Sequence, residues 1–426
     1  MIETAVSNPD QAIREWTLGN GLKVILLENH KAPVVTFQIW YRAGARNEHL
    51  GKTGLAHLFE HMMFKGTKNV SAEEFVRRIH RKGAAFNAFT SHDFAGYVEQ
   101  IASAHIQEAM NLEADRMQHL IIEDDDFEIE KQVVMEERML RIKDNKHATL
   151  LEQVNAAAFQ CQPYRWPISG WTDDIARLSA DDARNWYRTY YHPGNALISA
   201  VGDFQADRLL ESIRDTFEPI PGGDEVIHRH YADPPQEGER RVTVKSENAH
   251  LPLIIMAYHA PNILNPDSYI LEVVSAVLSG GRSARLRRRL VHEERTARQI
   301  QSRNSFLTMD PDLFIIRAEP FQGVETGVLE GEIEREIEKT RRWPVDDREL
   351  QKAKNRLEAA FVYAQDSTAH QAVLLARYQT AADWREMYNY IRCIRSVSAE
   401  DICRIAGKYL IPENKTVGVL IPAPSG

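Results

Sequence analysis

An internal repeat at about half the chain's length narrows its possible folds more than any other feature. LSADDARNWYRTYYHPGNALISAV, from Leu178, aligns without a gap with VSAEDICRIAGKYLIPENKTVGVL, from Val397. Ser179 falls on Ser398, Tyr190 on Tyr409 and Asn195 on Asn414, a constant offset of 219 (397 − 178 and 414 − 195). Each copy reads as a Ser-capped helix, a Pro turn and a β-rich strand. With 426 residues the chain is too long for one ordinary core, so two similar halves are predicted. PIPGGDEVIHRHYADPPQEGERR, Pro219 to Arg241, is rich in Pro, Gly and charge and reads as a linker. The expected division is therefore 1–220, a linker at 221–241, and 242–426, with the halves free to close around a cavity.

The chemistry concentrates in GLAHLFEHMMFKG, Gly54 to Gly66. Leu55, Leu58, Phe59 and Met62 recur at helical spacing and should face a core. His57, Glu60 and His61 fall at i, i+3 and i+4 and share a second stripe of the same helix, for which Gly66 is a plausible stop. A lone His in an apolar helix is usually a satisfied core residue. Two with a Glu on one stripe are different, because burying all three unpaired is costly. Two imidazoles one turn apart can grip a single Zn²⁺ and leave a carboxylate beside it to handle protons. H-x-x-E-H is the inverted form of the zinc-peptidase helix motif. Moving 219 residues on from this helix leads to Ala276–Gly280, which has no His or carboxylate, so the second half is expected to lack a metal site.

Strands are predicted from Ala12 to Arg42 around a hairpin at Asn20-Gly21, and again in FNAFTSHDFAGYVEQ around the turn Ser91-His92-Asp93. SAEEFVRRIHRKG is an amphipathic helix with Ser71 and Glu74 as a capping box and Gly83 as its stop. A very long helix begins after Asp124-Asp125-Asp126 and carries Glu130 and Glu137. These lie two turns apart on one face, separated by about 10 Å along the axis. Both cannot easily reach one metal; one can be a ligand and the other its support, and spacing does not choose between them. Glu128 and Glu136 read as solvated.

A formal charge of −9 argues against general nucleic-acid binding. Cys161, Cys393 and Cys403 form no C-x-x-C pair and are expected as buried thiols. No stretch approaches a membrane span. MIETAVSNPDQAIREW has no basic and then apolar run, so the sequence as written reads as cytoplasmic, or periplasmic if a leader has been removed.

These residues resemble the pitrilysin (insulinase-like) zinc metallopeptidases, most closely the bacterial two-domain members and the β subunit of mitochondrial processing peptidase. The resemblance spans nearly the whole chain through NGLKVILLE, HLFEH, FNAFTSHDFAGYVEQ, the long Glu helix and YYHPGNALISAVGDF. It implies an α+β fold of two homologous sandwich-like halves, each an antiparallel-rich sheet covered by helices, forming a clam-shell chamber. It also implies one Zn²⁺ per chain. In that family the third ligand is a glutamate roughly 75 residues past the second His, and Glu137 lies 76 positions after His61. His57, His61 and Glu137 would then hold the metal, Glu60 would be the general base, and Glu130 would support the ligand set. The strand with Asn87, Ala88 and Phe89 would receive a peptide or unfolded polypeptide as an added strand.

The chain departs from the family at one place. Self-sufficient members carry an Arg and a Tyr seven residues apart in the second half, where ARLRRRLVHEERTAR aligns Val291 and Arg298 with them. Such donors commonly contribute a few kcal/mol to catalysis. The resemblance implies a zinc-bearing subunit whose partner supplies the pair, or else a chain acting alone with another group in the Tyr position. The rival from another class is a non-catalytic scaffolding subunit of the same fold; such members have lost the zinc residues, which this chain retains. The basic run from Arg282 to Arg298 reads first as a solvated helix face and second as a chamber wall or subunit interface.

Overall fold

The computed structural model describes residues 13–423 apart from 248 and 250. Ala12, where the first strand was expected to begin, and most of the stretch read for a leader lie outside these residues. Two mixed sheets organise the chain. The first holds β1 (Arg14–Thr17), β2 (Lys23–Glu28), β3 (Val34–Tyr41), β4 (Ala85–Thr90), β5 (Ala95–Ala102) and β6 (Ala196–Gly202), in the order β1-β2-β6-β3-β5-β4. The second holds β7 (Arg240–Ser246), β8 (Leu253–Ala260), β9 (Ala297–Asn304), β10 (Asp312–Pro320) and β11 (Lys415–Pro422), in the order β7-β11-β8-β10-β9. In each sheet every pairing is antiparallel except one, β2 with β6 and β7 with β11. Apart from β1 the topologies coincide, so β9 is the counterpart of β4, and both end their sheets.

The repeat is visible down to single hydrogen bonds. Ser179 and Ser398 each accept from the backbone N–H three residues on, and Asp182 and Asp401 return the bond to complete capping boxes. Asn195 Nδ2 donates to the Tyr190 carbonyl at 2.9 Å, and Asn414 Nδ2 to the Tyr409 carbonyl at 2.8 Å. At Ser71 the box is only half made. Its hydroxyl accepts from Glu74 N, but the Glu74 carboxylate turns to Arg77 and Arg78.

The compact units do not follow the contiguous division at 1–220 and 242–426. Among the described residues, one unit comprises the stretch up to 138, 167–229 and 364–384; the other comprises 139–166, 230–363 and the stretch from 385 on. The reason lies in two helices. The helix Lys146–Ala158 buries Leu150, Val154 and Ala158 against Leu253, Ile255, Leu313 and Leu420 of the second sheet. The helix Thr368–Ala381 packs on β3 and β6 of the first, where Ser199 Oγ donates to the Ala372 carbonyl at 3.0 Å and the Thr36 and Thr368 hydroxyls meet at 3.0 Å. Ser199 and Gly418 are equivalent under the 219 offset (418 − 199), and both lie beneath the crossing helix. A Cβ on Gly418 would stand 2.3 Å from Val154 Cγ2, so only glycine admits that approach. Residues 222–239 carry no helix or strand.

No disulfide joins described residues, and Cys161 is exposed, contrary to the buried thiol expected; Cys393 and Cys403 are half-buried. Among the described residues, no helix is long and apolar enough to cross a membrane. The basic run carries a π-helical segment, Arg287–Glu293, and much of its charge is matched. Arg285 pairs with Glu349 at 2.8 Å, and Arg289 with Glu294 at 2.6 Å, with Glu332 at 2.9 Å, and with Glu336.

One half-buried acid gives a testable pH signature. Glu272, on the helix Asp267–Ser279, is pushed up to about 7 by burial, against the opposing pull of Asn304, Arg303 and Tyr390. Between the unfolded carboxyl's ordinary range and pH 7 the folded state holds the extra proton. That contribution is therefore fully present at acid pH and is lost as pH rises through 7. Glu272→Gln should raise the unfolding free energy at pH 8 by up to about 3 kcal/mol, with the gain shrinking toward pH 5. Denaturant melts at the two pH values would show it; an equal effect at both would contradict it.

Candidate metal and catalytic site

The site belongs to the first unit and is built from three elements. The helix α1 (Leu55–Met62) anchors Leu55, Leu58, Phe59 and Met62 in the core, as its spacing predicts, which turns His57, Glu60 and His61 to a half-buried face. It starts at Gly54, whose φ of +90° and close fit against Ser169 and Gly170 exclude a side chain. The buried Glu48 carboxylate accepts the Gly54 and Ala56 N–H groups at 3.0 and 2.7 Å, capping a helix that has no capping side chain of its own.

After α2 (Ala72–Arg81) and α3 (Ile106–His119), the long helix α4 (Asp124–Asp144) supplies both glutamates. Phe127, Lys131, Val134 and Arg138 form its buried stripe. Lys131 Nζ reaches the Leu178 carbonyl at 3.2 Å, and Arg138 donates to Ser169 Oγ at 2.8 Å and lies over Trp171. That rotation sets Glu130 and Glu137 beside α1, where they take different places. A Glu137 carboxylate oxygen is 3.7 Å from His57 Nε2 and 3.7 Å from His61 Nε2, and one atom from each of the three lies within 4.8 Å of the others. Glu130 instead meets the far side of the ring, 3.2 Å from His61 Nδ1, while its other oxygen accepts from Lys65 Nζ at 2.8 Å.

The donor set suits zinc. Two imidazole nitrogens and a carboxylate oxygen are a common catalytic set that leaves a position open. Bonds of about 2.0–2.1 Å in a tetrahedron put ligand atoms about 3.4 Å apart, close to the spacing seen here. With Nδ1 of His61 facing a carboxylate, the proton sits on Nδ1 and the lone pair on Nε2.

Glu60 is held from the sheet. The Thr90 hydroxyl, at the end of β4, donates to Glu60 Oε2 at 2.6 Å. Burial raises the Glu60 carboxyl above its ordinary range, opposed by the Thr90 bond and the His61 charge and reinforced by Glu137. An upward shift suits a group that takes and returns a proton. Asn87, Ala88 and Phe89 lie on β4, whose one partner is β5, so the other edge of the strand is unpaired within the sheet. Asn87 is exposed; Ala88 and Phe89 are half-buried. Lys65 and Thr90 were not anticipated. A Lys just past an amphipathic helix reads as solvated, and a Thr closing a strand reads as β propensity.

In the second unit, Arg298 forms an ion pair with the buried Glu319, whose other oxygen is 2.8 Å from His147 Nε2. Val291 sits half-buried in the π-helical segment. The acidic trio Glu239, Glu330 and Glu334 is threaded by Lys415 and Arg241 and is an ion-pair cluster.

Residues 23–170 match the family described as Insulinase (Peptidase family M16), and residues 177–357 match Peptidase M16 inactive domain. Zinc protease PqqE of Helicobacter pylori is 32% identical over 95% of this chain and 92% of its own length. The probable mitochondrial-processing peptidase subunit beta of Arabidopsis thaliana is 24% identical over 96% of this chain and 78% of its own. A crystal structure of a protease from Helicobacter pylori superposes with a TM-score of 0.92 at 30% identity, covering 97% of this chain and 100% of that one.

Proposed function

The chain belongs to the M16 (insulinase-like) peptidase family, and we propose that it is a zinc-dependent endopeptidase or oligopeptidase. The observation that carries this reading is the convergence of His57, His61 and Glu137 within ligand distance beside a partly buried Glu60. His57, His61 and Glu137 would hold one Zn²⁺. When bound, the ion polarises the scissile carbonyl and acidifies the attacking water. Glu60 takes that water's proton and passes it to the departing amide nitrogen. With Oε2 engaged by Thr90, Oε1 is the oxygen that does so. The substrate lies along the free edge of β4 as an added strand, main chain paired with Asn87 to Phe89.

Zinc-loaded chain incubated alone with a fluorogenic peptide library tests the proposal. Glu60-dependent cleavage supports a complete enzyme. Bound zinc without cleavage supports the narrower reading that a second family subunit supplies the Arg and Tyr replaced here by Val291 and Arg298. Purely homomeric, fully active material from the native source would sink that heterodimer. The rival scaffold reading draws on the description of the second matched segment as inactive. It requires a chain that purifies without stoichiometric zinc.

Glu130 and Lys65 serve as orienting groups, with Lys65 keeping the Glu130 carboxylate turned toward His61. Lys65→Met should weaken zinc binding 10–100-fold, as outer-shell losses commonly do, and Lys65→Arg should restore part of it. Competition with a chelator of known affinity measures both; unchanged affinity in Lys65→Met would remove Lys65 from the site.

A further inference from the structure

A cavity in the second unit, largely apolar but rimmed by polar side chains, has no part in this chemistry. It measures about 620 Å³, a size common for ligand sites, and opens between α5 (Lys146–Ala158) and the β9–β10 face. Leu151, Ile255 and Ile315 give it an apolar floor, and Gln299, Arg303 and Arg317 line its polar side. Arg303 pairs with Ile315 and Gln301 with Arg317 across the β9–β10 ladder. The two arginines are therefore diagonal neighbours on one face, roughly 7–8 Å apart, where like charges repel. Both are exposed, and neither has a carboxylate within ion-pair distance among the described residues. Arg317 instead donates through Nε to the Gln301 side-chain oxygen at 3.0 Å. Glu319, farther along the face, is already engaged by Arg298 and His147. Glu272 feels the Arg303 charge, and with its carboxyl pushed up to about 7 it is only partly ionised at neutrality, so it offsets part of that charge without pairing with it. In a chain of net charge −9, two guanidiniums in one cavity with no ion-pair partner among the described residues mark a local site for an anion.

We propose that this cavity binds a carboxylate of the peptide substrate, an acidic side chain or the C-terminal carboxylate, clamped between Arg303 and Arg317. A guanidinium offers a planar fork that matches a carboxylate, and the Gln299 amide adds a neutral donor. The apolar floor receives the neighbouring side chain. β9 ends its sheet as β4 does, so a peptide has an unpaired strand edge to follow toward the cavity. The assignment rests on the peptidase reading.

The test uses the zinc-loaded full chain carrying Glu60→Gln and a fluorescein-labelled decapeptide in four forms. These combine Glu or Gln near the C-terminus with a free or amidated end, and binding is read by fluorescence anisotropy. Adding Arg303→Gln and Arg317→Gln together should weaken binding of a carboxylate-bearing form at least tenfold and flatten its salt dependence, with the Gln amide form unchanged. Loss confined to the Glu forms assigns the side chain; loss confined to the free acids assigns the terminus. Equal binding of all four forms with and without the arginines overturns the proposal. Both arginines are exposed, so unchanged thermal melting is expected and checks the fold. Cleavage of the unlabelled peptides by the chain with Glu60 intact is scored separately. Carboxylate-dependent binding without cleavage by the zinc-loaded chain sinks the reading as a complete enzyme and keeps the anion site. Cleavage without arginine dependence does the reverse.

Discussion

Glu60→Gln is expected to retain stoichiometric zinc and lose peptide hydrolysis by a factor of about 10²–10⁴. The substitution is nearly isosteric, and the new amide oxygen can still accept the Thr90 hydroxyl that fixes Oε2 at 2.6 Å. His57 and His61 keep their places because α1 is positioned by the buried Leu55, Leu58, Phe59 and Met62 and not by Glu60, and Glu137 keeps its place because α4 is held by Phe127, Lys131, Val134 and Arg138. What disappears is the only function an amide cannot supply, reversible uptake of a proton. A loss of 10²–10⁴ corresponds to about 3–5 kcal/mol in the barrier, larger than any effect expected of a neighbouring contact. Metal analysis and hydrolysis must be read on the same preparation. Loss of zinc together with activity would make Glu60 a structural residue. A rate close to that of the parent would show that some other group moves the proton.

The α1 stripe of His57, Glu60 and His61 was legible because its members lie about one helical turn apart, where spacing alone decides which side chains share a face. The repeat was legible for the same reason, its caps and turns being local. The assignment of Glu130 and Glu137 was not local. Which one reaches the two Nε2 atoms depends on the rotation of α4, and that is set by a buried stripe of Phe127, Lys131, Val134 and Arg138. Two of those four are charged residues, and a hydrophobic pattern cannot find a stripe buried through ion–dipole and ring contacts. The family's spacing pointed to Glu137 without exposing that cause. The exchanged helices were hidden differently. An amphipathic pattern in Lys146–Ala158 or Thr368–Ala381 announces a face to bury but not the sheet that buries it. The small residues Ser199 and Gly418, at equivalent repeat positions, acquire meaning once the helices are seen above them.

Arg116→Met is expected to destabilise the first unit by about 3–5 kcal/mol. Arg116 is 2% exposed, between Glu113 at 0% and Glu99 at 1%. It pairs directly with Glu113, and Glu99 Oε1 lies 3.5 Å away. Its guanidinium also covers the rings of Phe64, Phe75 and Tyr97 at 4.7–4.9 Å. One cation thus serves two buried carboxyls. Burial and the neighbouring Glu113 drive the Glu99 carboxyl well above its ordinary range, and the close ion pair of Arg116 is the one with Glu113. Methionine fills the space against the three rings but abandons the Glu113 charge in a medium that cannot solvate it. Adding Glu113→Gln to Arg116→Met removes that orphaned charge, so the double variant should recover much of the lost stability, a non-additivity measurable by denaturant unfolding. If the single and double variants are equally unstable, the cost comes from packing around the rings and not from the charge. Arg116 also lies under the turn that ends α1, next to the Met63 carbonyl and the Phe64 ring. The single variant should therefore bind zinc more weakly even where it remains folded, which ties a buried ion cluster with no chemistry of its own to the geometry of the site above it.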